Sequence, residues 1–244
     1  MSIRKLTLDE NLDRLPTAFE YGLLVDSSDG IIALNSLRHT SCTTVGSGAS
    51  FSASFYLAKL LEEFFLIPCK AVTPYEYYSS SNPSTGVVLV SAAGKNQDIL
   101  AALDKALIND VGTLVIFTSK KESRLLENAK GFPKLHTVVT GSLGQEEKEG
   151  FFGVQSLVAA LGAFISMVPE LRHRITVTPQ AWCAETCASV QNYLEDNKRV
   201  VEQVAAADHV VGLATGWAMP SLIDFESKFV EGGLGWIEIA LNKF

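Results

Sequence analysis

A chain of 244 residues, 47% of them hydrophobic and 19% charged, can bury a large core, and its length allows one large domain or one and a half smaller ones. Its 27 acidic residues outnumber the 20 basic ones, leaving a formal net charge of −7. This argues against nucleic-acid binding, which needs a basic footprint, and against a polybasic grip on anionic lipid.

No apolar run reaches the roughly 20 residues that cross a bilayer. The nearest, 154–168, is interrupted by Gln155, Ser156 and Ser166. The N-terminus has no apolar segment after Arg4 and Lys5, so a secretory signal is not expected and a cytoplasmic protein is. The cysteines, Cys42, Cys69, Cys183 and Cys187, have no histidine at ligand spacing. They read as reduced, buried thiols, with no metal site.

Residues 1–40 read as a helical arm with the apolar set Leu12, Leu15, Phe19, Tyr21, Leu23 and Leu24. A strand at 42–45 runs into Gly46-Ser47-Gly48-Ala49-Ser50. A helix follows, with Phe55, Leu57, Leu60, Leu61, Phe64 and Phe65 at helical spacing. A short strand at 69–72 precedes a Tyr-rich turn or helix at 74–78. The continuous apolar run at 86–92 ends at Gly94 and gives way to an amphipathic helix at 98–107. Strand 113–117 leads to a helix at 122–130. Strand 137–140 leads, past Gly141 and Gly144, to a long helix at 151–168.

Short strands that are apolar throughout, alternating with helices, are what a parallel sheet covered on both faces requires. The expected fold is therefore α/β: a doubly wound five-stranded parallel sheet flanked by helices, over residues 41–170; if its order is the flavodoxin-like 2-1-3-4-5, that order reverses between the first and third strands. Residues 171–207 hold a connecting helix, at 179–206. Residues 208–244 restart the pattern, with a strand and glycine turn at 208–216 and a helix from Met219. The chain stops at Phe244 before this second unit is expected to build a sheet, so it reads as the incomplete start of a second repeat whose apolar helix face is left exposed.

Ligands of open α/β sheets sit beyond the carboxyl ends of the strands, where the strand order reverses. Two loops meet that description, Gly46-Ser47-Gly48-Ala49-Ser50 and Ser91-Ala92-Ala93-Gly94-Lys95-Asn96. Both are small, carry hydroxyls and open into helix N-termini, whose free N–H groups and dipole favour phosphate. Ser47, Gly48, Ser50, Ser91, Gly94, Lys95 and Asn96 are the candidate anion contacts. The competing reading is that these residues only make tight turns and helix caps.

Phe51 stands where the dinucleotide fingerprint needs its third glycine, and no acidic residue closes the second strand. The loop at Lys95 lacks the features of a P-loop. No cofactor is expected, which leaves a smaller phosphorylated ligand.

These motifs resemble the SIS (sugar isomerase) domain family, which includes the isomerase half of glucosamine–fructose-6-phosphate aminotransferase. Gly48-Ala49-Ser50 is similar to that family's Gly-Thr-Ser turn, and 91–98 to its Ser-x-Ser-Gly-x-Thr-x-Asp loop. Gly144-Gln145-Glu146 resembles its Gly-x-Glu segment. Residues 224–231 resemble the Glu-rich helix opening its second repeat. The likeness spans 40–170 and 208–244, with departures. Ala93 replaces the second serine of the phosphate loop, Asn96 replaces threonine, and Glu147-Lys148-Glu149-Gly150 occupies the place of a Ser-Thr-Lys stretch.

The resemblance implies a sugar-phosphate ligand and Glu231 as the proton-abstracting carboxylate of an isomerising member, while the exposed apolar helix face is expected to seek a partner, as a homodimer or with a docked missing domain. Three readings follow. The chain binds a phosphorylated sugar in a catalytic or regulatory role; or it is the N-terminal portion of an aldose–ketose isomerase; or it is a degenerate SIS scaffold for oligomerisation. Against a catalytic role, Glu231 also reads as one charge of a solvated helix face with Glu226 and Lys228. His39, His136, His173 and His209 match no triad or metal spacing, and Tyr75, Tyr77 and Tyr78 are explained by packing.

Overall fold

A computed structural model describes residues 7–81, 85–141, 154–175, 178–231 and 236–241. Three helices come first: α1 (Leu8–Asp13), α2 (Leu15–Leu24) and α3 (Ser28–Asn35). The α/β region then runs β1 (Cys42–Val45), α4 (Ala49–Phe64), β2 (Cys69–Val72), α5 (Pro74–Ser79), β3 (Gly86–Val90) and α6 (Gln97–Ile108). It continues with β4 (Thr113–Thr118), α7 (Arg124–Ala129), β5 (Leu135–Val139), α8 (Val154–Ser166) and the short α9 (Pro169–Arg172). All neighbouring strands are parallel, in the order β2-β1-β3-β4-β5. This is the expected doubly wound sheet, with the reversal of order between β1 and β3.

The strands that lack polar alternation are those the sheet buries on both faces. Every residue of β1, β3 and β4 is buried. On one face Val88, Val90, Val115, Phe117 and Val138 meet Leu57, Leu60 and Leu61 of α4 and Phe164 of α8. On the other, Val87, Leu89, Leu114 and Ile116 meet Ile99, Leu103 and Ala106 of α6 and Leu125 of α7. Phe117 and Phe164 lock edge to face, with ring centroids 5.1 Å apart. Burial on both faces is what makes a continuous apolar strand stable in a parallel sheet.

The N-terminal arm is part of this packing. α2 lies across α8 so closely that a Cβ on Gly22 would sit 2.1 Å from the carbonyl oxygen of Ala159, and one on Gly162 would sit 2.5 Å from that of Phe19. The two backbones touch through small residues, and only glycine fits either position. Gln155 of α8 adds a buried hydrogen bond, its amide donating to Asn11 Oδ1 at 2.8 Å.

Two expectations are corrected beyond residue 170. The connecting helix is two helices, α10 (Pro179–Asp196) and α11 (Lys198–Ala205), separated at Asn197. Asn197 folds its side-chain amide back onto the Tyr193 carbonyl at 2.9 Å, closing α10 before α11 begins.

The second unit also builds more than a single βα step. β6 (His209–Ala214), α12 (Met219–Glu231) and β7 (Trp236–Leu241) form a βαβ unit whose two strands pair in parallel. The apolar face of α12 is covered in part. Ile223 and Phe229 are buried, Leu222 packs on Gly212 of β6, and the helix lies against α4. Trp217, just ahead of α12, stacks edge-on against Tyr56 of α4 and donates its indole N–H to Glu63 at 3.0 Å. Exposed apolar side chains remain at Phe225 and Val230 of α12 and at Val211 and Leu213 of β6.

Among the described residues no helix is long and apolar enough to cross a membrane. None of them form a group of three or more His, Cys, Asp or Glu side chains suited to a metal.

Candidate functional site

The turn out of β1 is shaped by glycine. A Cβ on Gly46 would lie 2.2 Å from the carbonyl oxygen of Ser50, so the first turn of α4 folds directly back onto the strand end. Gly48 has φ +56°, the left-handed region that glycine enters without strain. The Ser50 N–H then donates to the Ser47 carbonyl at 3.2 Å and that of Phe51 to Gly48 at 2.8 Å. Ser50 is thereby held in the opening turn of α4, facing the carboxyl end of the sheet.

There it lines a small cleft of about 30 Å³, together with Ala49, Val90, Ala92, Thr118, Ser119, Thr140 and Ser156. The Ser50 hydroxyl has no hydrogen-bond partner among the described residues. Among the described residues no charged side chain lines the cleft. An anion held there would rely on hydroxyls, on backbone N–H groups and on the positive N-terminal end of α4.

The second loop behaves differently. Ser91 is buried, and its Oγ accepts the Gly94 N–H at 3.2 Å, so the hydroxyl is committed to shaping its own loop. Gly94 has φ +60°, and a Cβ there would lie 2.5 Å from Ser123 Oγ, the N-cap of α7. Its carbonyl accepts the Leu125 N–H at 2.9 Å, tying the loop to α7. Asn96 is the N-cap of α6, its Oδ1 accepting the Asp98 N–H at 2.8 Å. Lys95 is exposed. Of this loop only Ala92 reaches the cleft wall; Ser91, Gly94, Lys95 and Asn96 do not, and neither do Ser47 and Gly48. Of the seven residues expected to contact an anion, the cleft brings in Ser50.

Besides Ser156 on α8, three hydroxyls at strand ends were missed by reading glycine-rich loops alone. Ser119 donates to the Ala92 carbonyl at 2.6 Å, and Thr118 donates to the same oxygen at 3.2 Å. Thr140 donates to the Thr118 carbonyl at 3.3 Å. All lie at the carboxyl ends of β4 and β5. Their signal was a hydroxyl residue at each strand end, which the carboxyl-end rule for α/β sheets could have picked out.

A second groove of about 270 Å³ continues from the cleft, with Leu157 in both walls. Ser52, Tyr56, Trp217, Ser221 and Asp224 line it, from α4 and from the start of the second unit. Ser52 Oγ is buried there without a partner. Asp224 lies 3.7 Å from Lys228 Nζ, one turn along α12. Glu231 is the last residue of α12, and its side chain lies outside the described residues. So do Gly144-Gln145-Glu146 and 147–150.

This architecture has close counterparts among solved structures. The C-terminal domain of glucosamine-fructose-6-phosphate aminotransferase from Francisella tularensis superposes with a TM-score of 0.67 and 16% identity, over 97% of this chain and 72% of that one. The fold is that of the SIS domain. Tagatose-6-phosphate ketose/aldose isomerase from Escherichia coli also gives 0.67, with 17% identity, over 96% of this chain and 66% of that one. For glucosamine-6-phosphate deaminase from Thermotoga maritima the values are 0.59 and 17%, over 96% and 69%. No protein-family model matches the chain, and no curated protein matches it in sequence.

Proposed function

We propose that this chain binds a phosphorylated sugar at the carboxyl end of its five-stranded sheet, in a catalytic or regulatory role. The observation that carries this reading is the meeting of five hydroxyl residues, Ser50, Thr118, Ser119, Thr140 and Ser156, around one cleft at the N-terminus of α4. The phosphate occupies the cleft, with the unpartnered Ser50 hydroxyl as its side-chain donor. The sugar extends past Leu157 into the groove bordered by Ser52, Trp217 and Asp224. The SIS fold, shared with structures named for sugar-phosphate enzymes, supports this reading.

Thermal shift tests it. Glucose 6-phosphate and fructose 6-phosphate are expected to raise the melting temperature in a concentration-dependent way, and glucose is not. Ser50→Ala is expected to weaken the phosphosugar response roughly tenfold or more, since a hydrogen bond to a charged group is worth about 1.5–3 kcal/mol. Equal stabilisation by glucose and its phosphate would refute a phosphate anchor.

Aldose–ketose isomerisation is the next step of the same reading, with Glu231 as the base at the C1–C2 enediol. Turnover of fructose 6-phosphate or arabinose 5-phosphate that disappears in Glu231→Gln would establish it. A second reading, an SIS scaffold used for oligomerisation, draws on Ala93, on the commitment of the Ser91 hydroxyl to its own loop, and on the lack of charged side chains around the cleft among the described residues. Absence of any phosphosugar response, together with a stable dimer, would favour it.

A further inference from the structure

At the opposite end of the sheet, Cys42 opens β1 and Cys69 opens β2, and the two are register partners across the parallel pair. Neighbouring strands lie about 4.7–4.9 Å apart, inside the roughly 4.4–6.8 Å between Cα atoms that a disulfide spans. As register partners on adjacent parallel strands, the two side chains project to the same face of the sheet. Interaction with Cys69, then burial, pushes the Cys42 thiol well above the ordinary range, so Cys42 holds its proton. Cys42 is 3% exposed, whereas Cys69 is half-buried. Both line a groove of about 440 Å³ that is separate from the Ser50 cleft. An oxidant entering the groove meets Cys69 first, with Cys42 directly behind it.

We propose that Cys42 and Cys69 are a site of reversible oxidative modification, closing to a disulfide when a small peroxide enters this groove. The Cys69 sulfur, as thiolate, attacks one peroxide oxygen; the O–O bond breaks, hydroxide leaves, and Cys69 becomes a sulfenic acid. The Cys42 sulfur then attacks the Cys69 sulfur. The S–O bond breaks, and the departing hydroxide takes the Cys42 proton as water. Overall, two thiols and one hydrogen peroxide give one disulfide and two waters, the sulfur pair losing two electrons and the peroxide gaining them. The bond ties the edge strand β2 to β1 at their first residues. The site is independent of any sugar-phosphate ligand.

Peptide mapping of the intact chain tests this. Native protein is treated with hydrogen peroxide, its remaining thiols are alkylated under denaturing conditions, and it is digested with trypsin. Cleavage after Arg38, Lys59 and Lys70 places Cys42 in 39–59 and Cys69 in 60–70. The expected result is a linked pair of these peptides, lighter by two hydrogens than their sum and separated by dithiothreitol. In Cys42→Ala, dimedone is expected to trap a sulfenic acid on Cys69, with no link. A linked pair from the wild-type chain supports the proposal even if that variant fails to fold. Three wild-type results would overturn it: both thiols still alkylated, Cys69 driven to sulfinic acid while Cys42 stays free, or a link from either cysteine to Cys183 or Cys187.

Discussion

Two serines that look equivalent in the sequence do different work. Ser50 presents a hydroxyl to the cleft, whereas the Ser91 hydroxyl accepts a backbone N–H three residues on. Ser50→Ala is therefore expected to leave the unliganded melting temperature close to wild type and to lose phosphosugar affinity. Ser91→Ala strands the buried Gly94 N–H, and is expected to cost about 1 kcal/mol of stability with no ligand present. Chemical denaturation of the two variants separates these roles. Tyr77 gives a second prediction at this scale. Its ring is buried in the core beside Val72 and Ile99, its hydroxyl has no partner, and burial pushes the phenol up to about 12. An unfolded tyrosine ionises near pH 10. Below that pH both states are neutral and the contribution to stability is constant; as pH rises from about 10 to 12 the unfolded chain sheds its proton first, and stability falls. Tyr77→Phe is expected to remove this fall and to raise stability at neutral pH by about 1 kcal/mol, because a buried unpaired hydroxyl disappears.

Among elements, the contact that binds the N-terminal arm to the α/β domain is the α2–α8 crossing. Its closeness depends on Gly22 and Gly162, where any Cβ would overlap a backbone atom of the other helix. Gly22→Ala and Gly162→Ala are each expected to force the helices apart at a cost of about 1–3 kcal/mol, seen as an earlier denaturation midpoint. Both gain helix propensity from the change, so a net loss in stability would identify the helix contact as the cause. The consequence reaches the cleft, because α8 also carries Ser156, Leu157 and Ala160 into its wall. A displaced α8 is expected to weaken phosphosugar binding in the same variants.

On the scale of the whole molecule, the βαβ unit of β6, α12 and β7 docks through α12 and Trp217 onto α4, the helix that also carries Ser50. One face of its two-stranded sheet is covered in this way. On the other, Val211 and Leu213 are 53% and 72% exposed. A two-stranded sheet with an open apolar face is a surface for association. A homodimer is the expected outcome, read as a doubled mass by sedimentation. Val211→Lys with Leu213→Lys is expected to return a monomer that retains the Ser50 cleft and its ligand response.

Local pattern was enough for the α/β class and the five strands, because strands buried on both faces must be apolar throughout and helices must show a 3.6-residue period. It was also enough for the glycine turns at Gly46, Gly48 and Gly94, since backbone conformation is a local property. The direction in which each hydroxyl points was not legible. Ser91 and Ser50 sit in similar motifs, yet a hydroxyl's partner depends on which backbone group lies within about 3 Å after folding. Thr118, Ser119 and Thr140 reach the cleft only because β3, β4 and β5 align side by side, which no single loop encodes. The approach of α2 to α8 joins residues about 140 positions apart through backbone contact, and a lone glycine in a helical pattern gives no sign of its partner. The second unit was underestimated for the same reason. β7 gains its pairing from β6 across the intervening helix, and α12 gains cover from α4, a tertiary neighbour that the 208–244 segment does not itself contain.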